Sequence, residues 1–355
     1  MGTHTMKKKV IVCLAVLGLT VSAVAAPQDG RKLVWSDEFG GSSLDATKWK
    51  FHATMNSDDC VYTNDSRTAR VEDGCLHLLV VPSGDPAKPQ MLPRGVSTRD
   101  KMAFRYGYLE MRARVPFRHG AWPSFWMTVQ PGLRKAAWGS EVDIFEVFSS
   151  TNAVVANLHK WAGQKGHFML PGGEGSLKRA YFFKDCSKLN DEFHVYGFEW
   201  TPKEMSFYVD GEKYATFPID EAGDYCPKEK LGMAGHHDFH NINVNNEIFT
   251  PGHGWCPPEK RITANDRLPI EYWIDWVRLY QKDGELIRLP ELEHRPASGV
   301  MCCSSAEVAA YRVAESRALA RERDAGAEDE PHADRLVQRE RNRDDVRGVH
   351  PAARP

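Results

Sequence analysis

Apolar and polar residues alternate with a period of two along the segment YGYLEMRARV (106–115). Leu109, Met111, Ala113 and Val115 fall on one face of this segment, whereas tyrosine, glutamate and arginine fall on the other. Because side chains of a strand point alternately to its two faces, the pattern predicts a half-buried β-strand.

Other segments are also rich in residues that favour strands, and turn residues separate these segments. FHVYGFEW (193–200) precedes MSFYVDGEKYATF (205–217), in which Asp210-Gly211 predicts a tight hairpin turn. CLHLLVVP (75–82) and IEYWIDWVRLYQ (270–281) are rich in the β-branched and aromatic residues that favour strands.

Sustained helical periodicity is missing between about 30 and 288. Many short strands separated by Gly, Pro and Asn turns predict a sandwich or barrel, and one all-β domain of about 250 residues is an ordinary size. We therefore predict an all-β fold for residues 26–288.

The N-terminal segment MKKKVIVCLAVLGLTVSAVAA (6–26) has a basic start, an apolar centre and small residues at Ala23 and Ala25. This layout is typical of a secretory signal peptide, and Pro27 favours cleavage after Ala25. We therefore predict residues 1–25 to be a signal peptide with a short N-terminal extension. The protein is expected to be secreted, periplasmic or attached to the cell surface; a short anchoring helix is the alternative.

The composition changes near residue 290. The last lysine is Lys282, and arginine, alanine and acidic residues dominate the segment that follows. Such a segment cannot bury a core, so we expect residues 289–355 to be a disordered tail. This change in composition has two explanations. The segment is a charged extension of the protein itself, or it comes from an altered reading frame or a fused segment.

The charge and the cysteines restrict the function further. A formal charge of −2 at pH 7 argues against a partner with a phosphate backbone, so no nucleic acid is expected. No apolar run after the N-terminal segment approaches the length of a membrane span. Export permits disulfides, but the five cysteines between the predicted signal peptide and residue 290 leave at least one unpaired or joined to the tail, and the connectivity stays open.

The stretch GSEVDIFEVFSS (139–150) places Glu141, Asp143 and Glu146 inside an apolar run. On a regular strand Glu141 and Asp143 share a face, but Glu146 falls on the opposite one. One extra residue in a β-bulge at Ile144–Phe145 returns Glu146 to the first face.

The bulged strand would present three acids to a cleft while Val142 and Ile144 face a core. The outer carboxyl groups could then approach the separation of about 5–5.5 Å that retaining glycosidases use. An acidic strand that binds a cation, or is merely solvated at an edge, is the alternative.

The motif E-x-D-x-x-E and its flanking segments resemble glycoside hydrolase family 16, the laminarinase, lichenase, agarase and carrageenase group. The flanking segments are LVWSDEF (33–39), YGYLEMRARVPFRHGAWPSFWM (106–127) and FHVYGFEWTPKEMSFYVDG (193–211). The resemblance implies a two-sheet, concanavalin-like β-jelly-roll with a concave substrate cleft and a retaining mechanism.

Carried over by position, the resemblance implies that Glu141 is the nucleophile and Glu146 the general acid and then the general base. Asp143 would hydrogen-bond to this pair and tune it electrostatically. Clustered carboxylates raise at least one pKa, which a carboxylic acid needs in order to donate a proton near neutral pH.

Aromatic rings on which sugar C–H faces can stack are expected in the cleft. Trp122 matches a substrate platform of the family, and Trp138 and Trp161 are similar candidates. His159 matches a histidine that lies beside the cleft. Trp126 is either a further platform or a core residue.

Some positions depart from the family pattern. Ser140 stands where laminarinases usually have glycine, and Thr68 stands where many members have asparagine. The segment 233–256 does not match the laminarinase pattern. We expect it to form a loop at the edge of the cleft; the alternative is that its histidines bind a metal ion. The resemblance also implies one structural Ca²⁺ away from the cleft, for which Glu38 and Asp275 are candidate oxygen ligands, and no cofactor is expected to be required for catalysis.

The sequence thus predicts a monomeric, secreted, retaining endo-β-glycanase acting on β-1,3- or mixed-linkage β-glucan. The first alternative is a β-galactan hydrolase acting on agar, porphyran or carrageenan, because Arg118, Arg134 and Lys135 could meet sulfate esters. A transglycosylase is a second alternative, and a non-catalytic carbohydrate-binding sandwich is the alternative from another class.

Overall fold

A computed structural model describes residues 29–289 of the chain except 55, 88–89, 135–138, 162–166, 170–178, 187, 220–235, 253–255 and 264, and it describes only the backbone of 167–169. The predicted signal peptide and the predicted tail from residue 290 onward lie outside the described residues.

The described residues form β-strands and short 3-10 helices, with no α-helix among them. The strands are β1 (Lys32–Asp37), β2 (Lys50–His52), β3 (Ala69–Glu72), β4 (Cys75–Pro82), β5 (Met91–Leu92), β6 (Arg94–Ser97), β7 (Ala103–Arg105), β8 (Gly107–Arg114), β9 (Ala121–Val129), β10 (Gly139–Glu146), β11 (Ala153–Trp161), β12 (His167–Met169), β13 (Ala180–Phe182), β14 (His194–Trp200), β15 (Glu204–Val209), β16 (Glu212–Pro218), β17 (His240–Ile248), β18 (Ile270–Gln281) and β19 (Leu286–Arg288). The 3-10 helices span Ser66–Thr68 and Pro258–Lys260.

The strands form two antiparallel sheets. The nine-stranded sheet has the order β16-β15-β14-β8-β18-β4-β3, with β1 also pairing with β18 and β5 with β4. The ten-stranded sheet has the order β12-β11-β10-β9-β17-β6-β2, with β13 on β11 and with β7 joining β17 to β19. The predicted all-β, two-sheet fold is therefore confirmed.

One hydrophobic core lies between the two sheets. Leu109, Met111 and Ala113 of β8 are fully buried in it, as the period of two predicted. On the ten-stranded side, Phe145 packs against Tyr196 of the other sheet with ring centroids 4.3 Å apart. Strand β10, which carries Glu141, Asp143 and Glu146, is thus anchored from its core face.

The opposite face of β8 differs from the prediction at Glu110, which is buried although it points away from the core. The ring of Tyr108 covers this part of the sheet; a Cβ placed on the neighbouring Gly197 would lie 2.4 Å from Tyr108 Oη. Burial raises the pKa of Glu110 to about 7. Large aromatic residues therefore cover a face that simple alternation assigns to water.

The predicted hairpin turn at Asp210-Gly211 is confirmed between β15 and β16. Both residues have positive φ, 51° for Asp210 and 81° for Gly211. A two-residue turn of this kind matches the twist of the paired strands.

Among the described residues, no helix is long and apolar enough to pass through a membrane.

Candidate active site

Strand β10 contains the predicted bulge. Asp143 pairs with Trp126 of β9, whereas Phe145 pairs with the next residue back, Phe125, so Ile144 is the extra residue. Because of this slip, Glu146 accepts hydrogen bonds beside Asp143 while Ile144 is buried in the core. The predicted β-bulge is confirmed.

Three alternate residues of β11 each make a hydrogen bond with one carboxylate of β10. The pairs are Trp161 Nε1 with Glu141 Oε2 at 3.0 Å, His159 Nε2 with Asp143 Oδ2 at 2.8 Å, and Asn157 Nδ2 with Glu146 Oε2 at 2.5 Å. His159 lies directly opposite Glu141 in the strand register but binds Asp143, and the other two pairs are offset in the same sense. The side chains of β11 therefore hold all three acids from one side.

Strand β9 holds Glu146 from the other side. Trp122 donates its indole N–H to Glu146 Oε1 at 2.9 Å. Its half-buried ring packs against Phe249, with centroids 5.4 Å apart, and lies near-parallel to Phe148 at 6.3 Å. Glu146 consequently accepts hydrogen bonds from both neighbouring strands, which fixes both of its oxygens.

Burial, with a smaller contribution from the nearby charge of Asp143, raises the pKa of Glu146 to about 8; His159 and the hydrogen bonds from Trp122 and Asn157 oppose this shift. Burial likewise raises the pKa of Asp143 far above its usual range, and the charge of Arg179 is the largest opposing influence. Both groups therefore favour the neutral acid near pH 7.

The structure brings together most of the predicted site residues. Glu141, Asp143 and Glu146 share one region with Trp122, His159 and Trp161. Trp138 lies outside the described residues. The indole N–H of Trp161 is directed at a carboxylate, a contact that was not predicted.

Two residues of this site were missed from the sequence, Asn157 and the buried Arg179, whose charge acts on both Asp143 and Glu146. The alternation of Asn157, His159 and Trp161 along one strand was a usable signal, because alternate residues share a face. Arg179 precedes the short strand β13, and nothing in its local sequence distinguishes it.

Trp126 is buried, but it lies outside the core cluster between the sheets. Its indole N–H donates to Asn245 Oδ1 at 2.8 Å, and its ring lies 5.6 Å from that of His52. Trp126 pairs with Asp143, so it extends the carboxylate face across β9 toward β17. Trp126 is therefore neither a core residue between the sheets nor an open platform for sugar, the two alternatives that the sequence left open.

The candidate calcium ligands do not fit a shared cation site. Glu38 forms a two-point ion pair with Arg278, at 3.0 and 2.8 Å, and Asp275 pairs with Arg112. A guanidinium already neutralises each carboxylate, whereas Ca²⁺ needs several uncompensated oxygen ligands.

The histidines at the start of β17 make separate contacts. His240 Nε2 lies 2.7 Å from Ser140 Oγ, and His237 Nδ1 lies 3.1 Å from Tyr106 Oη. Among the described residues, the group with metal-ligand spacing is Glu141, Asp143 and His159, whose donor atoms lie within 4.8 Å of one another. These are the side chains of the carboxylate cluster itself, and Asp143 and His159 already bind each other.

A family model for the GH16 domain of beta-porphyranases A–D matches residues 32–282. The chain belongs to glycoside hydrolase family 16. The resemblance predicted from the motifs is confirmed, and with it the family's jelly-roll architecture for the two sheets described above.

Several curated proteins are similar to the chain. It is 27% identical over 214 residues to glucan endo-1,3-beta-glucosidase A1 of Niallia circulans, covering 54% of this chain and 30% of that protein. It is 31% identical over 204 residues to a beta-glucanase of Rhodothermus marinus, covering 54% and 68%. It is 24% identical over 275 residues to a keratan-sulfate endo-1,4-beta-galactosidase of Sphingobacterium multivorum, covering 74% and 58%.

The match thus spans less than two thirds of the first and third of these relatives. Among solved structures, the laminarinase catalytic domain of Thermotoga maritima is similar with a TM-score of 0.53 at 23% identity, covering 72% of this chain and 99% of that domain. This likeness supports the fold alone.

Proposed function

We propose that this chain is a retaining, endo-acting β-glycan hydrolase whose favoured substrate is a β-1,3- or mixed-linkage β-1,3-1,4-glucan. The observation that carries the proposal is the bulged strand β10, on which neighbouring strands hold Glu141, Asp143 and Glu146 by hydrogen bonds. Membership of glycoside hydrolase family 16 supports the reaction, and the relatives named as glucanases support the favoured substrate.

In the first step, a carboxylate oxygen of Glu141 attacks the anomeric carbon while Glu146 gives its proton to the glycosidic oxygen. The bond between that carbon and oxygen breaks, the shortened glycan leaves as an alcohol, and an ester joins the other sugar to Glu141. The raised pKa of Glu146 supports its part, because the group keeps its proton at neutral pH until the leaving oxygen needs it.

In the second step, the carboxylate of Glu146 takes a proton from water, and the water oxygen attacks the same anomeric carbon. The ester bond breaks and Glu141 returns to its ionised form. Asp143, whose pKa burial raises, stays bonded to His159 and so keeps its position beside Glu146 through both steps. Two inversions leave the product with the starting configuration.

A second candidate is a β-galactan hydrolase. The matching family model describes porphyranases, and the relative named as an endo-β-galactosidase covers a larger share of this chain than the two glucanases do. Of the basic residues proposed to meet sulfate, Arg134 is exposed, Arg118 donates to the Arg267 carbonyl, and Lys135 lies outside the described residues.

We also propose that the protein is exported and acts as a monomer on a polysaccharide outside the cytoplasm. The basic, apolar and small-residue pattern of residues 6–26 supports export. A polymeric substrate of this kind is met outside the cell, where an endo-acting enzyme can reach it.

The proposal is tested by incubating the purified protein with laminarin, mixed-linkage glucan, agarose, porphyran and carrageenan and separating the products by size. We expect release of short oligosaccharides from laminarin or mixed-linkage glucan, and loss of that release in Glu141→Gln. Release from porphyran or agarose alone would favour the galactan alternative. Binding without hydrolysis of any polymer would contradict the proposed reaction and favour a carbohydrate-binding sandwich.

A further inference from the structure

Trp161 contacts the proposed nucleophile directly. Its indole Nε1–H donates to Glu141 Oε2 at 3.0 Å. We propose that Trp161 is a positioning residue that holds the nucleophilic carboxylate in its attacking orientation, rather than a stacking platform for sugar. This inference rests on the function proposed above, because it takes Glu141 to be the nucleophile.

The ring of Trp161 is itself held in place. It lies nearly parallel to the ring of His159, with an interplanar angle of 10° and centroids 5.8 Å apart. His159 is fixed in turn by its 2.8 Å hydrogen bond to Asp143. One face of the indole therefore lies against another side chain of the site, and its polar edge is directed at Glu141.

The contact has a chemical use in both steps. A hydrogen bond to one carboxylate oxygen restricts the rotation of the group, so that the other oxygen is held in the orientation needed to attack the anomeric carbon. In the ester intermediate, Oε2 becomes the carbonyl oxygen and still accepts the N–H. When water displaces Glu141, negative charge returns to the carboxylate beside a donor already aimed at it, which stabilises that transition state.

The two tryptophans of the site contact different carboxylates. Trp122 donates to Glu146, the proposed acid, whereas Trp161 donates to Glu141. Removal of the Trp161 N–H should therefore affect the nucleophile and leave the proton donor unchanged. That difference can be measured.

The test compares wild type with Trp161→Phe, which keeps an aromatic ring and removes the N–H. On the polymer that wild type cleaves, we expect kcat to fall by about tenfold to a hundredfold, the loss associated with one hydrogen bond to a charged group. We expect KM to stay within about twofold, because the contact is made to the enzyme's own carboxylate. The acidic limb of the kcat/KM profile should move to higher pH, since the ionised carboxylate loses a donor.

Trp273→Phe is the matched control. Trp273 lies on β18 of the nine-stranded sheet and donates its indole N–H to Glu271 Oε2 at 2.7 Å. The same substitution therefore removes an equivalent hydrogen bond in the other sheet, away from the three acids of β10. Its kinetics should match those of wild type. Thermal unfolding of both variants establishes that each is folded.

The outcomes separate this inference from the proposed function. If wild type is active and Glu141→Gln is not, but Trp161→Phe raises KM with kcat and the acidic limb unchanged, Trp161 is a platform and the positioning role is wrong. If Glu141→Gln keeps wild-type activity, the assignment of the nucleophile fails first, whatever Trp161→Phe does.

Discussion

His240 Nε2 lies 2.7 Å from Ser140 Oγ, on the buried side of the strand that carries Glu141. The other ring nitrogen of His240, Nδ1, donates to the carbonyl of Asp238 at 2.8 Å, so Nε2 is the acceptor of the Ser140 hydroxyl. Burial lowers the pKa of His240 to about 3, which keeps the ring neutral in this role. The bond links β10 to β17, the strand on the far side of β9.

We expect His240→Leu to lower the free energy of unfolding by roughly 1–3 kcal/mol, because it removes the acceptor of a buried hydroxyl. Ser140→Ala in the same protein should cost less than it does alone, by about 0.5–1.5 kcal/mol. Urea unfolding of the two single variants and the double variant measures this coupling. Strictly additive losses would mean that the two side chains do not support each other.

The raised pKa of Glu146 predicts that Glu146→Gln stabilises the protein at alkaline pH. Since the folded-state pKa of about 8 lies above the ordinary value of 4.5, the folded state binds more protons between these values, and stability falls as pH rises through that window. Glutamine cannot ionise, so the variant escapes this loss. We expect its advantage over wild type to be on the order of 1 kcal/mol or more at pH 8.5 and to shrink toward pH 5.

Thermal unfolding of wild type and Glu146→Gln at several pH values measures this difference. The stabilised variant should be inactive, because it has no proton to give. An equal difference in Tm at pH 5 and pH 8.5 would contradict the raised pKa.

The pKa of His119 is raised by its contacts with the Glu259 carbonyl and the Asp266 carboxylate, which lie 2.9 Å from Nε2 and Nδ1 respectively. Both ring nitrogens face acceptors, so the protonated ring satisfies both. A raised folded-state pKa gives stability that is fully present below the ordinary value of 6.5 and is lost as pH rises through the folded-state value. We therefore expect His119→Gln to lower Tm more at pH 5.5 than at pH 9; the reverse order would contradict the assignment.

Arg31 joins the start of the described chain to the nine-stranded sheet. Its side chain is only 3% exposed; it pairs with Glu199 at 2.9 Å and approaches Glu285 at 3.8 Å. Glu199 also accepts the Tyr208 hydroxyl at 2.9 Å.

We expect Arg31→Ala to destabilise the protein by roughly 1–3 kcal/mol, because it leaves the partly buried Glu199 and Glu285 without their counter-charge. Glycan hydrolysis at 25 °C should stay at the wild-type rate. Lys188→Ala is the control, since Lys188 makes an exposed pair with Glu192 that contributes little. A loss of activity in folded Arg31→Ala would show that this contact acts on the site.

The strands and the bulge could be predicted because they depend on local periodicity. The slip at Ile144 follows from where acids and apolar residues alternate, and it needs no knowledge of the partner strands. The burial of Glu110 could not be predicted in this way, because it depends on Tyr108, which covers the sheet where Gly197 has no side chain.

The contacts of the site were predictable only in part. Asn157 and Trp161 bind acids two register positions away from their own strand partners, and that offset depends on side-chain geometry rather than on sequence spacing. Glu38 and Asp275 were assigned to calcium because oxygen ligands suit it, but arginines from other strands compensate their charge. These contacts depend on which parts of the chain the fold brings together, and the local sequence does not give that information.

The retaining mechanism proposed for Glu141 and Glu146 is tested most directly by proton NMR of the reducing ends released in the first minutes of hydrolysis. Wild type acting on the β-linked polymer it cleaves should produce the β-anomer first, followed by slow conversion to the equilibrium mixture. An initial α-anomer would mean a single inversion and would contradict Glu141 as a nucleophile.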